Sequence, residues 1–150
     1  MNNWMTRTAT IVLATLLIAN GAAAQENRRY IDPSSAGDGG APFSGAVQVG
    51  DTLYLSGTIG LNDEGKVPDT ASEEARLVLE SLKGTLEKAG MTMDDLAYVT
   101  IYCSDVAHYQ AFNDVYRGFF TGEFPARAFI GAGTLLFDAR FEVQAIAVKR

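Results

Sequence analysis

The stretch Thr70–Gly90 constrains the fold of this chain more than any other. Thr70-Ala71-Ser72-Glu73 is a capping-box pattern, with Thr70 as N-cap and Glu73 at N3. Ala75, Val78, Leu79, Leu82, Leu86 and Ala89 then recur at helical spacing, and Gly90 supplies a C-terminal stop. The pattern predicts an amphipathic helix over 71–89, whose apolar face must be buried against another element.

The flanking segments read as strands. Ala46–Val49 and Thr52–Gly57 are β-prone runs separated by Gly50-Asp51, a pair that suits a tight II′ hairpin. Leu96–Cys103 is β-branched and aromatic, as expected of a central strand. Ser104-Asp105 caps a second helix over about 106–120, with a stripe of Val106, Tyr109, Phe112, Tyr116 and Phe119, ended by Gly122 and Pro125. Residues 126–131 and 139–149 are the last two strands. In the final one Phe141, Val143, Ala145 and Ala147 share one face, and Glu142, Gln144, Ile146 and Val148 the other. The order ββαβαββ predicts an α+β fold with both helices on one face of a single sheet. The uncovered face then calls for a partner, which argues for an oligomer.

The N-terminus reads as a targeting segment. Arg7 precedes the apolar run Ile11–Ala19, and Ala22-Ala23-Ala24 fits a small-x-small cleavage site, so 1–24 is expected to be a signal peptide cut before Gln25. The run is shorter than the roughly 20 residues of a membrane span. The expected location is the periplasm or outside the cell, with no membrane attachment after cleavage. Residues 25–41, polar and rich in Gly, Ser and Asp, read as a flexible arm, which leaves 42–150 as one domain.

Composition narrows the chemistry. The net charge is −6, and loss of 1–24, with one base and no acid, makes it one unit more negative. That argues against a broad basic surface for nucleic acid. The single cysteine, Cys103, allows no intrachain disulfide, and its strand setting reads as a buried inert thiol. His108 is the only histidine, which excludes a multi-histidine metal site, and its position in the second helix reads as surface. No Gly-x-Ser-x-Gly elbow is present, and Gly131-Ala132-Gly133 does not open a helix as a phosphate loop would.

Two residues carry more promise. Arg127 stands at the mouth of one of the last two strands, and Glu142 lies fifteen residues on in the other. A hairpin joining those strands would bring a guanidinium and a carboxylate to one end of a pocket. The guanidinium can grip a small carboxylate bidentately, and the acid can order a water or move a proton. Arg127 reads equally well as a surface or interface ion-pair partner. Glu142, an acid in an apolar strand, needs a partner in either case. On residue chemistry alone both readings stay open.

From Pro42 to Val148 the chain resembles the Rid (reactive intermediate deaminase) family, some of whose members carry the label L-PSP endoribonuclease. The matching pieces occur in order: Ala41-Pro42-Phe43-Ser44, Leu55-Ser56-Gly57-Thr58-Ile59, Leu86-Glu87-Lys88-Ala89-Gly90, Val99-Thr100-Ile101-Tyr102, Phe112-Asn113-Asp114-Val115-Tyr116, Phe124-Pro125-Ala126-Arg127 and Phe141-Glu142-Val143-Gln144-Ala145. The resemblance implies a chorismate-mutase-like α+β fold and a homotrimer with its sheets inward and its pockets between subunits. It implies hydrolysis of enamines and imines such as 2-aminoacrylate to a 2-keto acid and ammonia, with no cofactor and no metal. By the same resemblance Arg127 holds the substrate carboxylate and Glu142 positions water or relays a proton. Ser56, Gly57 and Asn113 line the pocket, and Phe43 closes it from a neighbouring subunit.

Several positions depart from the family's pattern. Phe129 stands where a small or thiol residue is usual, and would narrow or reshape the pocket. The segment 128–136 lacks the usual Leu-Pro, Thr58 replaces a frequent Gln, and Gln144 a second Glu. Two other readings remain: a non-catalytic small-carboxylate-binding or holdase-like trimer, and, disfavoured by charge, an endoribonuclease.

Overall fold

The computed structural model describes residues 27–35, 37 and 39–150. The signal-peptide reading of 1–24 and its cut before Gln25 fall outside these residues. The described chain forms six strands: β1 (Arg28–Ile31), β2 (Ala46–Val49), β3 (Thr52–Ile59), β4 (Leu96–Cys103), β5 (Ala126–Gly131) and β6 (Phe141–Val148). Its helices are α1 (Ala71–Lys88) and α2 (Tyr109–Tyr116), the second extended at each end by a 3-10 turn. All six strands join one sheet in the order β1-β2-β3-β6-β4-β5, antiparallel throughout except for the parallel pair β4–β5.

The helix that the sequence marks most clearly forms as expected. The Thr70 hydroxyl accepts from the Glu73 amide at 3.2 Å. At the other end Gly90, at φ 74°, donates to Glu87, and Met91 donates to Leu86. This is the left-handed cap that glycine adopts without steric cost. Val78, Leu79, Leu82 and Leu86 are fully buried against the sheet. The core lies between α1, α2 and the sheet face carrying Leu53, Val99, Ile101, Phe141, Val143 and Ala147.

Two expectations need correcting. Residues 28–31 are a strand on β2, not part of a flexible arm. Arg29 donates to the carbonyl of Lys88 at the end of α1, and Lys88 pairs with Asp32 at 2.6 Å. A cation at a helix C-terminus is favourable, and these long-range ties hold β1 in place. The Gly, Ser and Asp content of residues 32–40 hid so short a strand.

The last two strands also do not form a hairpin. The α2 crossover returns β5 parallel to the outer side of β4, and β6 inserts between β3 and β4. Four alternate residues of β6 are buried, so it belongs at the centre of the sheet beneath the helices, whereas β5 is mostly half-buried or exposed and suits an edge.

The opposite sheet face has no cover among the described residues. Tyr54, Ile146 and Tyr98 stand in one register row across three strands, and the two tyrosines are about half exposed.

One buried acid fixes the entry to β6. Glu74 on α1 is fully buried and accepts hydrogen bonds from the backbone amides of Arg140 and Phe141 and from the Arg140 guanidinium. Arg140 also donates to the carbonyls of Pro68 and Asp69. A buried carboxylate so fully bonded and paired is tolerable; stripped of its partners it would not be.

Candidate active site

The predicted site residues fall into two groups, set by strand register. Partners directly across a sheet project to the same side. Arg127 is level with Val99, which is level with Ala145, and both of these are buried beneath the helices. Arg127 therefore sits on the helix side. Glu142 is level with Tyr102 on β4 and Ile59 on β3, on the uncovered side. The pair lies two strands apart, roughly 10 Å across the sheet, and on opposite faces. Within the one chain they do not meet.

The Arg127 group is aromatic. The guanidinium lies 4.8 Å from the ring centre of Tyr116, with Tyr109 at 5.9 Å and Phe129 at 6.0 Å. Rings of this kind hold a cation through their electron-rich faces and leave its N–H edge free for a ligand. Arg127, Asn113, Tyr109, Tyr116, Arg117, Phe124 and Pro125 line a cavity of about 230 Å3. Asn113 is 5% exposed and its side chain makes no hydrogen bond to the described residues, nor does the Arg127 side chain. Burial pushes the Tyr116 phenol up to about 12, with Arg127 opposing the rise.

The Glu142 group is built on a bulge. Between Leu55 and Thr58 the register of β3 slips, so Ser56 and Gly57 together oppose Gln144. The Ser56 hydroxyl donates to the carbonyl of Ser44 at 2.6 Å, tying the bulge to the segment that carries Phe43. Gly57 lies against the acid: a Cβ there would sit 2.1 Å from Glu142 Oε1. Only glycine lets the carboxylate rest against this backbone. Phe43, Ser56, Gly57, Glu142, Leu136 and Phe137 are among the residues lining a cavity of about 560 Å3. Phe137 holds a left-handed φ of 58° although it is bulky, a strained conformation of the sort concentrated at functional sites.

Comparison with known proteins decides the family. Residues 34–149 match the family described as Endoribonuclease L-PSP. A protein of Dermatophagoides farinae named 2-iminobutanoate/2-iminopropanoate deaminase is 38% identical over 109 residues, 71% of this chain and 85% of that protein. One of the same name from Mus musculus is 34% identical over 81% of this chain and 92% of that protein. The solved structure of YyfA from Yersinia pestis, a protein of the Rid family, has a TM-score of 0.72 at 31% identity, covering 81% of this chain and 98% of that one. The chain belongs to the Rid family. E. coli TdcF, solved with bound serine, is similar as well, at TM-score 0.73, 28% identity, and coverage of 81% of this chain and 99% of that one.

In this Rid chain, Arg127 and Asn113 share the helix-side cavity, and Phe43, Ser56, Gly57 and Glu142 share the other. Phe129 flanks Arg127 but packs edge-on against Tyr109 and Phe112 instead of lining that cavity. Cys103 is fully buried, donates to the carbonyl of Asp105, and has its thiol pushed up by burial. His108 is half-buried, edge-on to Phe141, so its ring is covered more than a surface position implies. Tyr116 and Phe137 were missed. Tyr116 reads as part of the α2 core stripe, and only its helical spacing of three from Asn113 hinted at a shared face. Phe137 lies in a connection without periodicity.

No helix among the described residues is long and apolar enough to cross a membrane.

Proposed function

We propose that this chain is a hydrolytic deaminase of reactive enamines and imines, acting as a homotrimer whose sites form between subunits. The observation that carries this reading is the division of the site. A guanidinium and a carboxylate, each without a hydrogen-bond partner among the described residues, sit in separate cavities on opposite faces, each lacking what the other supplies. In a closed ring of copies, the β5 edge of one copy, which carries Arg127, meeting the uncovered sheet face of the next, which carries Glu142, would complete one site at each contact. The named relatives act on iminobutanoate and iminopropanoate, and the serine bound to TdcF is likewise a small carboxylate.

The chemistry follows from the residue types. Arg127 grips the substrate carboxylate as a fork, with the Asn113 amide beside it. An enamine first takes a proton from water at its terminal carbon and gives one up from nitrogen, becoming the imine. Glu142 of the adjoining copy accepts a proton from water as the water oxygen bonds to the C=N carbon. It returns that proton to nitrogen, giving a carbinolamine. The carbinol hydroxyl then passes its own proton through Glu142 to the amino nitrogen, and the C–N bond breaks as C=O forms, releasing ammonia and the 2-keto acid. Holding substrate and water together can lower the barrier by several kcal/mol. The Ser56–Gly57 bulge fixes the carboxylate, and Phe43 and Phe137 shield the site.

Mixing variants tests the division. Arg127→Ala and Glu142→Gln proteins, each inactive in keto-acid release, are unfolded together and refolded as one pool. About a quarter of the shared sites then carry both native residues, and activity returns to about that fraction. No recovery means that the site is not shared. Binding of small carboxylates without turnover by wild type would favour the non-catalytic reading. RNA cleavage abolished by Arg127→Ala would favour the ribonuclease reading, which the net charge of −6 disfavours. We propose export on the N-terminal pattern, testable by fractionation and N-terminal sequencing of the mature chain.

A further inference from the structure

One hydroxyl stands out. Among the described residues, the Tyr116 hydroxyl is the single buried side-chain polar atom with no hydrogen-bond partner. The residue is 3% exposed and packs on Phe112, Phe120 and Phe124. A phenylalanine would make the same ring contacts without stranding a polar atom, so the free subunit gains nothing from the hydroxyl. Its position is telling: Tyr116 stands three residues from Asn113 on α2, lies under the Arg127 guanidinium, and lines the same cavity as both.

We propose that Tyr116 is a substrate-binding residue whose hydroxyl donates to the carboxylate held by Arg127. This rests on the reading that Arg127 receives the carboxylate. The gripping end of the site is then a cluster of three, a charged fork flanked by a neutral amide and a neutral hydroxyl. Arriving carboxylate oxygens have more acceptor sites than one fork fills, and a buried O–H aimed at an ion makes a stronger bond than one between neutral groups. The phenol stays protonated far above neutral pH, so it is a donor and adds no repelling charge. The ring orients the cation and the hydroxyl binds the anion, which explains a tyrosine where packing alone needs only a ring.

The test is calorimetric titration of 2-oxobutanoate, an unreactive carboxylate, into the assembled protein as wild type, Tyr116→Phe and Arg127→Ala, with thermal melts of each. Tyr116→Phe is expected to bind roughly tenfold more weakly, equal to about 1.4 kcal/mol, and to melt at or above the wild-type temperature. In turnover it raises KM and leaves kcat within about twofold. Tyr116→Phe binding like wild type, while Arg127→Ala does not bind, overturns the role of Tyr116 and leaves the carboxylate reading standing. Weakened binding with a lowered melting temperature also overturns it, because the hydroxyl would then serve the free fold. Wild type that takes up no carboxylate overturns both.

Discussion

Two acid–base pairs separate the structural from the functional in this molecule. Glu74 and Arg140 meet at 2.9 Å, and the acid is further held by two backbone amides. Arg127 and Glu142 lie on opposite faces, and neither side chain has a hydrogen-bonded partner among the described residues. Glu142 stands only two residues past Arg140, so the satisfied pair anchors the strand that presents the unsatisfied acid. Groups that hold the fold are saturated within the chain. The groups proposed to bind the substrate are left open, at an energetic cost the fold accepts.

The largest expected effects break the open pair. Arg127→Ala and Glu142→Gln should each lower kcat/KM by about a hundredfold or more while melting like wild type. Retained activity in either would remove that residue from the chemistry. Breaking the closed pair should do the reverse. Glu74→Ala should destabilise by about 3–5 kcal/mol, read as a drop in denaturation midpoint, because it strands Arg140 and two amides. Undiminished stability would show that the clamp is not structural.

Between these lies Gly57→Ala, whose Cβ displaces the Glu142 carboxylate. Activity should fall about tenfold or more with a smaller change in stability. Equal losses in both would mean that the bulge serves folding, not function.

Alkaline pH gives a finer test. The Tyr116 phenol is raised from 10.0 to about 12 in the folded chain. The stability tied to its protonated form is complete below pH 10 and is lost as pH rises towards 12, at most about 2–3 kcal/mol. Tyr116→Phe should remove that part of the alkaline loss in melts taken across the range. An unchanged alkaline limb would show that the phenol is not held protonated. The smallest effect should come from Thr70→Ala, which removes the α1 cap and lowers stability by about 1 kcal/mol with activity intact.

Much of the fold was legible along the chain. The capped stripe of α1, the run Leu96–Cys103 and the alternation of β6 each record contacts made within one element. The strand β1 was not, because four residues, Arg-Arg-Tyr-Ile, carry no usable period. Of the site, Arg127, Asn113, Phe43, Ser56, Gly57 and Glu142 were legible as candidates, and each lines a cavity. That they divide between two separate cavities could not be read. The hairpin inferred for 126–149 failed because strand neighbours are chosen by which faces need burial across the whole sheet. Phe129 showed the same limit: its place beside Arg127 was legible, but its turn toward Tyr109 and Phe112 was not.

The sequence by itself determined the period of each element, the helix ends and the residue types able to grip a carboxylate and activate water. Those follow from backbone geometry and side-chain chemistry over a dozen residues. Only the tertiary structure decided that β6 lies between β3 and β4, and the register in which it pairs, and hence that Arg127 and Glu142 face opposite ways. Sheet order is a balance of long-range burial and loop closure, and no local stretch of chain encodes it.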